Sequence, residues 1–77
     1  MRVIRIHPED SVAVALEALS AGEEITVGGN TIILRDPIPA GHKFTLVPLP
    51  AGAVVRKYGE PIGRTTCALP AGAYLHS

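Results

Sequence analysis

Residues 38–66 read IPAGHKFTLVPLPAGAVVRKYGEPIGRTT. The stretch contains two Pro-Ala-Gly turns, at 39–41 and 50–52, and a third follows at 70–72. Each is preceded by an apolar residue, Ile38, Leu49 or Leu69, that can anchor the turn in a core. Leu19-Ser20-Ala21-Gly22 is a weaker fourth copy. Proline presets φ and glycine accepts conformations closed to other residues, so the pattern predicts type I turns with Pro second and Gly fourth. Each turn launches a short strand, and the strands expected in this part of the chain are 42–47, 53–57, 62–66 and 73–76. Successive turn glycines lie 11 and then 20 residues apart, from Gly41 to Gly52 to Gly72, so this is recurrent turn chemistry rather than a solenoid.

Working outward, Met1-Arg2-Val3-Ile4-Arg5-Ile6 is β-branched and reads as a strand, broken by Pro8. Asp10 or Ser11 can cap a helix, and Val12, Ala15, Leu16 and Leu19 follow at helical spacing. The expectation is one short α-helix near residues 10–20, closed by Gly22. Residues 23–27 and 31–34 flank Gly28-Gly29-Asn30, a hairpin signal. The predicted fold is mainly β, one domain over residues 1–77, with many short strands and a single helix.

Composition narrows the function. A 77-residue chain hides little of its surface, and one cysteine closes no internal disulfide. Seven basic residues balance seven acidic ones, which lacks the basic excess of a nucleic-acid module. One Phe, two Tyr and no Trp make a poor base-stacking platform. No apolar run approaches the roughly 20 residues that span a bilayer, and the N-terminus has no leader pattern, so a cytoplasmic protein is expected. Cys67, beside Ala68 and Leu69, reads as a buried inert thiol.

Three ordered motifs carry a family resemblance. They are His7-Pro8-x-Asp10 with the run 12–16 (VAVAL), Ile38-Pro39-Ala40-Gly41-His42-Lys43-Phe44, and Lys57-Tyr58-Gly59-x-x-Ile62-Gly63. Together they resemble the N-terminal domain of the altronate/galactarate dehydratase family, over nearly the whole chain. The resemblance implies a SAF-type β-clip fold, the group that includes type III antifreeze proteins. It implies a small subunit or N-terminal domain of a hydro-lyase that removes water from a sugar acid beside a larger catalytic chain. A related two-subunit lyase eliminates bisulfite from sulfolactate, and its small subunit is an alternative reading. The family usually closes this module with a His-x-His-Asn-like ending, whereas this sequence reads Leu75-His76-Ser77.

β-Elimination beside a carboxylate needs a base, stabilisation of the enolate and an acid for the leaving hydroxyl. No carboxylate pair or metal-ligand cluster in this sequence serves all three, so catalysis by the chain alone is not expected. The substrate-binding candidates are His42, Lys43, Lys57, Tyr58, Gly59 and His76. His42 and Lys43 follow a glycine turn, and strand alternation sends them to one pocket only if a bulge intervenes. Lys57 offers a point charge, Tyr58 a donor and Gly59 close backbone approach; His76 is a candidate base or ligand. No cofactor is assigned to this chain, although a divalent metal such as iron is expected in the full enzyme. The rivals are a stand-alone carbohydrate-binding module and an assembly subunit that forms a homo-oligomer through a sheet edge.

Overall fold

A computed structural model describes residues 2–5, 7, 10–57, 60–65 and 67–75, with only the backbone of Arg56, Lys57 and Glu60. These residues form eight short strands: β1 (Val3–Ile4), β2 (Val12–Ala15), β3 (Glu24–Val27), β4 (Asn30–Ile33), β5 (Lys43–Thr45), β6 (Val54–Lys57), β7 (Glu60–Arg64) and β8 (Tyr74–Leu75). A central antiparallel sheet has the order β1-β2-β5-β8, and β3-β4 and β6-β7 are separate hairpins. The mainly β expectation is met.

The helix is not. Residues 12–15 form β2, bonded to β1 on one side and β5 on the other. Val12, Ala13 and Ala15 are all buried, so the run is apolar because both faces of the strand are covered. Leu16, assigned to the helix's apolar face, is 50% exposed. Asp10 still caps, but it caps a turn: its carboxylate accepts the His7 N–H at 3.3 Å, and its own N–H donates to the His7 carbonyl at 3.0 Å.

The turns belong to a larger device. Four eight-residue segments, 15–22, 34–41, 45–52 and 65–72, share one arrangement: a residue that ends a strand or directly follows one, three connecting residues, then Leu or Ile, Pro or Ser, Ala and Gly. They interlock in reciprocal pairs. In the first pair the Gly22 N–H donates to the Leu34 carbonyl and the Gly41 N–H to the Ala15 carbonyl, at 2.7 and 2.8 Å. Leu34 and Ala15 return their own N–H groups to Glu23 and His42, and Leu19 bridges Ile38. The second pair repeats this with Gly52 on Thr65, Gly72 on Thr45, and Leu49 bridging Leu69.

The turn type differs from expectation. The closing bonds run from His42 N–H to Pro39 carbonyl and from Ala53 N–H to Pro50 carbonyl, both 3.1 Å. Proline is therefore first and glycine third. Gly41 has φ 82° and Gly52 φ 77°, the positive values that type II turns require at that position. Ser20 stands where the other copies have proline, so it retains an N–H that needs a partner. The Glu23 carboxylate accepts it and is held by Arg2 at 2.8 Å. In the second pair threonine hydroxyls brace the turns. Thr45 Oγ1 accepts from Ala73 N–H and donates to the Pro70 carbonyl; Thr65 Oγ1 does the same for Ala53 and Pro50.

Between its paired segments each half of the chain inserts a hairpin. The β3-β4 hairpin turns at Gly28-Gly29, both with positive φ, and pairs Val27 with Asn30. The β6-β7 hairpin pairs Lys57 with Glu60 and carries an irregularity between Val55 and Arg56. One apolar cluster joins Ala13, Ala15 and Phe44 of the sheet to Ile25 and Ile32 of the first hairpin. A smaller one joins Val12 to Leu49 and Val55, on the other face of the sheet. Cys67 is exposed, contrary to expectation: it lies in the connecting residues before Leu69, and Leu69 is the anchor.

Three outcomes follow from these contacts. A Cβ on Gly72 would lie 2.4 Å from the Ile33 carbonyl oxygen, whereas one on Gly52 would meet nothing within 4 Å. Gly52→Ala should cost about 1–2 kcal/mol for its positive φ alone, and Gly72→Ala a further 1–3 kcal/mol or so for the overlap, read by urea denaturation. Thr45→Val keeps shape but strands the Ala73 N–H and the Pro70 carbonyl, and should cost about 1–3 kcal/mol for each group left without a partner. The Ser20 N–H and then Arg2 hold the Glu23 carboxyl below its ordinary pKa. A lowered carboxyl stabilises the fold above its unfolded pKa and ceases to as pH falls through the folded one. Glu23→Gln should therefore lose less stability than the parent between about pH 5 and pH 3, in thermal melts across that range.

Candidate functional site

His42 leaves the first pair of interlocked turns directly after Gly41 and enters β5. The register of β5 is regular on both sides: Val14 and Leu75 flank Lys43, and Ala13 and Tyr74 flank Phe44. Alternation then puts His42 on the face of Phe44 and Tyr74, and Lys43 on the face of Val14 and Leu75. No bulge occurs in β5 to bring the two side chains together.

His42 has a specific partner. Its Nδ1 lies 2.6 Å from the Tyr74 hydroxyl, and the two rings sit 5.5 Å apart at 58°. Tyr74 opens β8, just after the second pair of turns ends at Gly72 and Ala73. Its ring is half-buried against the larger apolar cluster, and its N–H donates to Asp36 Oδ2 at 2.9 Å. Asp36 belongs to the segment 34–41, whose turn delivers His42. Next to it, the Arg35 N–H donates to the Gly72 carbonyl at 2.9 Å. One backbone–carboxylate bond and one backbone–backbone bond thus fasten the start of β8 and the turn before it to the segment that presents the histidine. His42 itself is exposed, with its ring held on one side.

Four other sequence candidates have no described side chain. Lys57 ends β6, with only its backbone described. Tyr58, Gly59 and His76 lie outside the described residues. Sequence reading missed Tyr74 and Asp36. Asp36 sits in an Arg-Asp-Pro loop with no motif around it, and its partner is 38 residues away. Tyr74 is one of only two tyrosines, and that scarcity was the one available signal.

Among the described residues no three His, Cys, Asp or Glu side chains converge in a way that could hold a metal ion. No helix among them is long and apolar enough to cross a membrane. A shallow groove of about 670 Å³ runs past Ile33, Arg35, Val47 and Pro70, and neither His42 nor Lys43 lines it.

Comparison with known proteins follows the same chain from end to end. It is 44% identical over 77 residues to altronate dehydratase of Escherichia coli K12, which covers all of this chain and 16% of that protein. It is 34% identical over 73 residues to altronate dehydratase of Bacillus subtilis 168, covering 95% of this chain and 15% of the relative. It is 35% identical over 74 residues to galactarate dehydratase (L-threo-forming) of E. coli K12, at 94% and 14%. The chain thus spans about one-sixth of the length of these relatives. Residues 1–77 match the family model described as the altronate/galactarate dehydratase SAF domain, and the chain belongs to that family.

Proposed function

We propose that this chain serves as the small subunit or N-terminal domain of a sugar-acid hydro-lyase of the altronate/galactarate type, completing the pocket of a larger catalytic chain. One observation supports the reading: 94% to 100% of this chain aligns with only 14% to 16% of each dehydratase it resembles. The remaining five-sixths of such an enzyme would supply the base, the enolate stabiliser and the acid that elimination requires. A divalent metal, where the full enzyme uses one, belongs to that part of the reading. So does a cytoplasmic setting.

Within it, His42 is the residue assigned to the substrate. It is exposed, positioned by two halves of the fold, and able to donate to a carboxylate or hydroxyl oxygen. Lys43 lies on the opposite face and enters the reading through contact with the larger chain. Lys57, Tyr58, Gly59 and His76 remain candidates for the same pocket.

The test is reconstitution. The chain is mixed with a cognate large dehydratase chain, and release of 2-keto-3-deoxy acid from altronate and galactarate is followed. Activity is expected only with both chains present. His42→Ala should lower kcat/KM roughly 10- to 100-fold, the worth of a hydrogen bond to a charged group. Full activity without the small chain would sink the reading. Calorimetric binding of a sugar acid to this chain alone would favour an independent binding module, and turnover of sulfolactate only would favour the sulfo-lyase alternative.

A further inference from the structure

We infer that Tyr74 is a positioning residue that fixes the tautomer of His42, so that the imidazole presents a proton on Nε2 to an oxygen of the ligand. For its ligand this rests on the dehydratase reading, but its geometry stands independently.

Two observations and one property of phenols support it. The Tyr74 hydroxyl and His42 Nδ1 are 2.6 Å apart, a short hydrogen bond. A phenol donates more readily than it accepts, because its oxygen lone pair is shared with the ring. Nδ1 is then the acceptor, and in a neutral imidazole the proton must sit on Nε2. Finally, Tyr74 is itself held. Its backbone N–H is fixed to Asp36 Oδ2, its Cα partner is the fully buried Phe44, and its ring packs on the larger cluster. The tyrosine cannot follow a rotating imidazole, so the imidazole follows it.

The consequence is chemical. Without the tyrosine an exposed imidazole exchanges between tautomers and rotates freely. Either motion costs the Nε2 donor its aim. With the tyrosine in place, the donor is set before the ligand arrives, which reduces the ordering cost of binding. The same hold opposes use of Nδ1 as a base, since that nitrogen is already occupied. His42 is thereby assigned to orientation and hydrogen-bond donation rather than to proton abstraction.

The experiment uses the ¹⁵N-labelled chain and Tyr74→Phe, which keeps the ring and removes the hydroxyl. Long-range ¹H–¹⁵N spectra at about pH 8, where an ordinary imidazole is neutral, report which ring nitrogen carries the proton. The His42 signals are assigned by their loss in His42→Gln. The parent should show a single tautomer protonated on Nε2. Tyr74→Phe should shift both nitrogens toward the averaged values of a freely exchanging imidazole. Unchanged nitrogen shifts, or a parent protonated on Nδ1, overturn the inference. In the reconstituted enzyme Tyr74→Phe should raise KM roughly three- to tenfold with kcat nearly constant, the worth of one neutral hydrogen bond. His42→Ala with Tyr74→Phe should lose no more than His42→Ala alone. A fall in kcat at constant KM, or additive losses, also overturns it. If the large chain proves active alone, the dehydratase reading fails while the nitrogen shifts still decide how Tyr74 holds His42.

Discussion

The fold depends on one repeated exchange of backbone hydrogen bonds: a turn glycine gives its N–H to the carbonyl of a residue at or just past a strand end, and that residue gives its N–H back to the carbonyl just beyond the glycine. The exchange occurs four times, in two reciprocal pairs. It places apolar anchors in contact, Leu19 with Ile38 and Leu49 with Leu69. Its single cysteine closes no internal disulfide, and no element among the described residues is longer than five residues. Interlocking instead makes each turn depend on a partner 19 to 20 residues away, from Gly22 to Gly41 and from Gly52 to Gly72. The glycines are required because the turn needs a positive φ there, and at Gly72 also because the backbone of residues 33 and 34 passes too close for a side chain.

Local chemistry was legible, and long-range reciprocity was not. The Pro-Ala-Gly repeats, the Gly-Gly hairpin and the strand-rich composition could be read directly, because proline, glycine and β-branched residues act on their own neighbourhoods. The helix near 10–20 was misread for a definite reason. Val12, Ala15, Leu16 and Leu19 fit a helical face, but an apolar run of this length fits a doubly covered strand equally well. Only the pairing of β2 with both β1 and β5 decides between them. The turn position was misread by one residue, since proline suits the first position here as well as the second. Ser20 and Glu23 show how the weak copy is completed: a donor that proline would have removed is paired by a side chain three residues on.

The candidate site arises where the two halves of the fold meet. His42 follows the last glycine of the first interlocked pair, and Tyr74 follows the last glycine of the second. Strands β5 and β8 lie side by side, and Asp36 ties one half to the backbone of the other. The His42–Tyr74 bond is therefore a contact that no single segment could form. That is also why sequence reading found the histidine and missed its partner. A Gly-His-Lys motif after a turn is visible locally, whereas the Tyr74 and Asp36 contacts exist only once both pairs have closed. The same register separates His42 from Lys43, which sequence adjacency had grouped.

An exposed imidazole, however well aimed, competes with water. A hydrogen bond from it to a ligand in open solvent replaces one to water at little net gain. The same donor becomes valuable when a second surface closes over it and excludes water, because the charge it meets is then poorly screened. On the reading proposed here, the aim is supplied by this domain and the enclosure by the larger chain. That division suits the physics of each part. Orientation demands a stiff scaffold, which interlocked turns provide in few residues. Enclosure demands buried area, which a domain of 77 residues cannot supply around a ligand while keeping its own core.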